Sequence, residues 1–161
     1  MTSMQSITGD GLKERHLLVA VDGSENSRRA VSFVSDFFGG YGGFRVTLLH
    51  IVREPAAGHF ASAEERRAWV MEQEAQARDV LDGYRKLLAE GGVPEQQIDV
   101  LIEVSQASSI ADAILGVQEW LQGCTIVVGR RGLSKKEEFL LGSTSNKILH
   151  GARGCAVMVI E

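Results

Sequence analysis

The sequence predicts an α/β fold: a single domain built on an open parallel sheet with helices on both faces. Three observations carry that reading. Short apolar runs alternate with amphipathic stretches from Leu17 to Ile160, five of the former and four of the latter. The runs are rich in Val, Leu and Ile and stop at Gly, Asp or Ser, as buried strands do. The stretches between them are long enough, at ~10 residues or more, to be crossover helices, which force parallel pairing through right-handed connections.

Leu17–Val21 is the first strand and ends at Asp22-Gly23-Ser24. Ser24 then caps a helix over about 25–38, on which Ala30, Val31, Val34, Phe37 and Phe38 recur at helical spacing before Gly39-Gly40. Phe44–Val52 is the second strand. Ser62-Ala63-Glu64-Glu65 has the form of a capping box, so a long helix starts there, carries Ala77, Val80, Leu81, Tyr84 and Leu88 on one face, and stops at Gly91-Gly92 and Pro94. Ile98–Val104 is the third strand. Ser108 or Ser109 caps a third helix lined by Ile110, Ala113, Ile114, Val117 and Leu121, with Gly123 as terminator. Cys124–Val128 is the fourth strand, Gly129 to Gly142 a loop, about Ser143 to His150 a short helix, and Cys155–Ile160 the last strand.

Composition bounds the function. At 161 residues, 44% hydrophobic and 24% charged, the chain has the material for one well-packed core. A net charge of −4 argues against a whole-surface nucleic-acid binder. No apolar run approaches the ~18 residues of a membrane span, and the polar start, residues 1–15, reads as a flexible lead without a signal-like core. A cytoplasmic protein is the expectation. Cys124 and Cys155 form no zinc pattern, and each opens an apolar run, so both read as reduced core thiols with a cross-strand redox pair as the alternative. His50, inside an apolar strand, reads as a satisfied core or near-core imidazole, His16, His59 and His150 show no metal-ligand spacing, and Trp69 and Trp120 read as packing residues.

In open parallel sheets ligands bind beyond the carboxyl ends of the strands, where strand order reverses. The most informative loop delivers Gly142-Ser143-Thr144-Ser145 to a helix start, where unpaired N–H groups and the positive dipole end favour an anion. The segment Arg130–Arg153 carries six cationic residues against Glu137 and Glu138, a local excess in an acidic chain. No GxxxxGK[ST] loop is present. Without further context Asp22 reads equally as a turn former, and Ser143 as a plain N-cap.

Gly129-x2-Gly132-x9-Gly142-Ser143 resembles the nucleotide-binding signature of the ATP-binding branch of universal stress proteins. The resemblance runs from about residue 16 to the end, so 16–161 is read as one universal stress protein domain. It implies a sheet of order 3-2-1-4-5 of the adenine nucleotide alpha hydrolase-like type. It also implies that Ala20 and Asp22 face the adenosine, that Ile51 touches adenine, that Gly129 and Gly132 let the backbone pass close to ribose and phosphates, and that Gly142, Ser143 and Thr144 hold the phosphates. Contact of Arg130 and Arg131 with phosphate is inferred from their charge. ATP, with Mg carried by the nucleotide, is the implied ligand, and a homodimer paired through Cys155–Ile160 the implied assembly. Relatives often have Gly and Pro where this chain reads Val104-Ser105-Gln106-Ala107, and Pro where it has Ala156, departures that bear on loop shape. The expected function is a nucleotide-responsive stress or signalling protein. An enzyme that cleaves ATP slowly and a nucleotide-free dimeric interaction module are the alternatives.

Overall fold

A computed structural model describes residues 15–56, 58–122, 124–130 and 142–161. The elements run β1 (Arg15–Ala20), α1 (Glu25–Phe38), β2 (Phe44–Arg53), α2 (Ala63–Glu90), β3 (Ile98–Ser105), α3 (Ile110–Leu121), β4 (Cys124–Gly129), α4 (Ser143–Gly151) and β5 (Val157–Ile160), with a 3₁₀ turn at Glu95–Gln97. The sheet has five strands in the order β3-β2-β1-β4-β5, and every pairing is parallel.

Period-two patterning divides each inner strand between two cores. Leu17 and Val19 of β1 join Val46 and Leu48 of β2 under α1 and α2, where Val31, Val34, Leu81 and Leu88 close the layer. Leu18, Leu49, Ile126 and Val128 face the other way, onto Ala111, Ile114 and Val117 of α3 and Ile148 of α4. Leu18, Val19, Leu48 and Leu49 are wholly buried, and each such side chain contributes about 1.5–3 kcal/mol relative to exposure.

The helix starts follow from their caps. Ser24 accepts the Ser27 N–H at 3.2 Å, Ser62 the Glu65 N–H at 3.1 Å, and Ser109 the Asp112 N–H at 3.2 Å. The reciprocal arm of the α2 box goes one residue further back than expected: Glu65 accepts from the N–H of Ala61, at 2.7 Å. α2 is 28 residues long, and its buried face begins only at Ala77. Its first turns are tied down by Arg66, which forks onto the buried Glu54 carboxylate beyond the end of β2.

Several bounds differ from the sequence reading. β1 starts at Arg15, which pairs with Phe44, so the proposed lead of residues 1–15 ends at least one residue sooner; residues 1–14 lie outside the described residues. Val21 follows β1 rather than ending it, though its N–H still bonds Leu49 O. α3 stops at Gln122, which takes the left-handed conformation (φ 47°) itself, and Gly123 lies outside the described residues. β5 starts at Val157, not Cys155, because the chain is still turning through Gly154 at φ 62°.

Candidate functional site

β1 and β4 lie side by side at the centre of the sheet, and the loops that leave them diverge to opposite faces. The divergence opens a cleft of about 110 Å³ above their carboxyl ends. One wall is apolar, made by Ala20, Leu49, Ile51, Ile110, Ile114 and Val128. The other is polar: Asp22, Ser24, Asn26 and Ser27 at the start of α1, Gly129 after β4, and Gly142, Thr144 and Ser145 at the start of α4. The N-termini of α1, α3 and α4 therefore all meet the cleft, each with the positive end of its dipole.

The three ends are not equivalent. At α1 the first turn carries Glu25 and the Ser24 cap is engaged; at α3 it carries Asp112 and the Ser109 cap is engaged. α4 has Gly142 in the cap position (φ −55°, ψ 151°), no side-chain cap hydrogen bond, and no acidic residue in its first turn. A capping oxygen would normally bond the N2 or N3 amide. Here no side chain of the helix itself competes for those donors. Ser143 is exposed and stands outside the cleft lining, whereas Thr144 and the buried Ser145 belong to it.

The β1–α1 turn is fixed by Asp22. Its carboxylate accepts the Ser24 N–H at 3.0 Å and the Ser27 hydroxyl at 2.6 Å, while Gly23 takes φ 79°. The Asp22 N–H in turn donates to Ser27 Oγ at 2.9 Å. Tyr84 of α2 donates its hydroxyl to Ser24 O at 3.3 Å, and burial, followed by the nearby charges of Asp22 and Glu25, raises its pKa. His50 on β2 lies within the field of Asp22, yet burial dominates and lowers its pKa, and its Nδ1 is buried without a hydrogen-bond partner. Gly129 has a structural reason of its own. A Cβ there would overlap the Asn26 carbonyl, so only glycine lets the first turn of α1 close down on the end of β4.

Two cations of the basic segment, Lys147 and the expected phosphate contact Arg130, make ion pairs within the protein. The Arg130 guanidinium reaches Glu161 at 2.6 Å while its N–H donates to Ile160 O, so the residue ties the end of β4 to β5. Lys147 donates to Asp112 at 2.7 Å and Ser109 at 2.9 Å, joining α4 to α3. Those donations, led by Lys147 and followed by Ser108 and Ser109, hold the Asp112 carboxyl well below its ordinary range. Among the described residues no Lys or Arg lines the cleft, and no group of three or more His, Cys, Asp or Glu is placed to hold a metal ion. Arg131, Gly132, Lys135, Lys136, Glu137 and Glu138 lie outside the described residues.

The cleft lining includes Ala20, Asp22, Ile51, Gly129, Gly142 and Thr144 of the residues singled out in the sequence, and not Arg130 or Ser143. It adds Val21, Ser24, Asn26, Ser27, Leu49, Ile110, Ile114, Val128 and Ser145. The caps Ser24 and Ser109 were signals for part of that set. All loops after parallel strands emerge at one edge of the sheet, so residues just beyond a cap, Asn26 and Ile110 among them, belong near any ligand held there.

The universal stress protein family model matches residues 14–161. The chain belongs to that family. A universal stress protein of Mycolicibacterium smegmatis is 29% identical over 151 residues, which cover 91% of this chain and 48% of the relative, so the chain spans about half the length of that curated protein. Among solved structures, the hypothetical protein MJ0577 superposes with a TM-score of 0.71 at 21% identity, over 92% of this chain and 96% of that one. A universal stress protein in complex with cAMP gives 0.66 at 18% identity, over 92% and 97%. A universal stress protein family protein from Arabidopsis thaliana with AMP bound gives 0.64 at 22%, over 91% and 90%. At these identities the structural likeness establishes the universal stress protein fold, including the strand order that creates the cleft.

No helix among the described residues is long and apolar enough to cross a membrane.

Proposed function

We propose that this universal stress protein binds ATP in the cleft between β1 and β4, as a nucleotide-responsive stress or signalling protein and not as an efficient catalyst. The observation that carries the reading is the α4 N-terminus, with a glycine at its cap, no carboxylate in its first turn and its amides turned to the switch point of the sheet. The phosphates sit there, on the amides around Gly142, Ser143 and Thr144, with Gly129, Gly132 and Arg131 supplied by the β4–α4 segment. The base lies on the apolar wall at Ile51, joined by Ile110 and Ile114. Ala20 and Asp22 face the adenosine. The AMP and cAMP held by two structural neighbours support an adenine nucleotide as the class.

The groups present fit such a ligand: apolar side chains for a flat base, and neutral backbone donors for an anion. Mg enters with the nucleotide. Asp22, the one carboxylate on the cleft lining among the described residues, already accepts from Ser24 and Ser27, so it is engaged in shaping the turn. Donors that serve ground state and transition state alike give affinity without rate, so turnover stays below the ~1 s⁻¹ low end of ordinary enzymes.

β5 is an edge strand of four residues, each half-buried, with an open backbone rim beyond it. Pairing of two copies through this strand covers that rim and gives a cytoplasmic homodimer.

The test is denaturing mass spectrometry of the purified protein for co-purified adenine nucleotide, followed by titration with ATP, ADP and AMP and by steady-state phosphate release. Bound nucleotide with slow release supports the reading. Absence of any adenine-nucleotide affinity overturns it in favour of an interaction module, and sustained fast turnover overturns it in favour of an enzyme.

A further inference from the structure

The β4–β5 pairing brings together two thiols that nucleotide binding does not use. Ile126 pairs with Val157, and the Ile126 N–H donates to Ala156 O at 3.0 Å. Counting back two residues along each chain from that rung reaches Cys124 and Cys155. Cys155 stands in the bend before β5 and packs against the same apolar cluster as Cys124, Ile126, Val128, Val157 and Val159. A disulfide spans a Cα separation of ≈ 4.4–6.8 Å, close to the ≈ 4.8 Å between neighbouring strands, and Cys155 stands two residues before the first β4–β5 rung. Both cysteines are free.

They differ in access. Cys124 is buried at 2% exposure within the layer under α3 and α4. Cys155 is half-buried in the bend between α4 and β5 and so offers the solvent-facing sulfur.

We propose that Cys124 and Cys155 are a reversible dithiol–disulfide modification site, oxidised by a hydroperoxide, that clamps the entry of β5 onto β4. The Cys155 thiolate attacks the distal peroxide oxygen. The O–O bond breaks, Cys155 becomes a sulfenic acid, and the departing oxygen leaves as water or an alcohol with the thiol proton. Cys124 then attacks the Cys155 sulfur through its own sulfur, forming the S–S bond, and the sulfenic hydroxyl leaves with the Cys124 proton as water. Two sulfurs are oxidised by one electron each, and one peroxide takes up both electrons. A dithiol reductant reverses the step by exchange.

Burial raises both thiols, Cys124 up to about 11 with the neighbouring Cys155 adding to it. The pair therefore rests as dithiol at neutral pH, and its oxidation accelerates as pH rises, about tenfold per unit while thiolate stays the minor form.

The experiment uses the full chain, reduced and desalted, exposed to hydrogen peroxide at pH 7, 8 and 9, alkylated, and read by intact mass and peptide mapping. Expected are loss of two hydrogens, protection of both cysteines, a Cys124–Cys155 cross-linked peptide in the monomer, and reversal by dithiothreitol. In Cys124→Ser, Cys155 should stop at a sulfenic acid trapped by dimedone, and in Cys155→Ser the cross-link should vanish. Oxygen addition at Cys155 with Cys124 still alkylatable, a disulfide joining two chains through Cys155, or two thiols that remain alkylatable at pH 9 would each overturn the proposal.

Discussion

The starts of α3 and α4 face the same cleft and are built in opposite ways. At α3, Ser109 caps the Asp112 N–H, Asp112 places a carboxylate in the first turn, and Lys147 reaches across to bond both. At α4, Gly142 caps nothing and the first turn carries Ser143, Thr144 and Ser145 without a charge. The difference is one of whom the amides serve. At α3 the Asp112 N–H is committed to Ser109, and that end contributes Ile110 and Ile114 to the cleft and a strut to α4. At α4 the cap residue places no side-chain oxygen on the first amides. Capping and anion binding would compete for the same donors, and of these two ends only α3 is capped by a side chain.

The comparison can be broken most severely at Gly129, which lets α1 approach the cleft floor. Gly129→Ala forces a Cβ onto the Asn26 carbonyl, so the whole frame that holds both helix ends should lose roughly 3 kcal/mol or more of stability, read by urea unfolding. A normal unfolding midpoint would show that the α1–β4 approach is slack. Next comes the engaged cap. Ser109→Ala should cost ~1 kcal/mol and leave ATP affinity within about twofold, because α3 gives the ligand only apolar surface. A large fall in affinity would erase the distinction between the two ends.

The smallest effect is the pH dependence of the strut. A carboxyl held below its ordinary 3.8 stabilises the fold above that pH, and the contribution fades as pH falls through the depressed value. Asp112→Asn should therefore be less stable than the parent at pH 7, with the gap narrowing steadily below about pH 4. A gap that is constant down to pH 2 would remove Lys147–Asp112 as its source. The pair is exposed and screened by solvent, so the difference should be small.

Much of this was legible in the sequence because it is local. Ser24, Ser62 and Ser109 announce three helices before any contact is known, and strict alternation of elements implies parallel pairing. Gly142-Ser143 likewise marks a helix start, and Gly142 lies on the cleft lining. What the sequence did not disclose depends on chain segments far apart. Six cations in one segment suggested a basic site, yet Arg130 is paired with Glu161 and Lys147 with Asp112, partners 31 and 35 residues away. The apolar Cys155-Ala156 looked like the start of a strand, but Gly154 keeps the chain turning until Val157. Ile110 and Ile114 read as ordinary core positions, and only the meeting of α3 with β4 and α4 puts them on the cleft lining.

Isothermal titration of Gly142→Asp with ATP and with adenosine reads whether the amides of α4 hold phosphate. Gly142 has the extended backbone of an N-cap, so an aspartate there would give α4 the carboxylate that α1 and α3 already carry in their first turns. Stability should change by no more than ~1 kcal/mol, since a cap and a favourable dipole contact are gained. ATP affinity should fall about a hundredfold, equivalent to ~2.7 kcal/mol, as the new carboxylate takes the amides and repels phosphate, while the weak affinity for adenosine should be unchanged. An ATP affinity equal to that of the parent, in a variant with a normal circular dichroism spectrum, would contradict the claim.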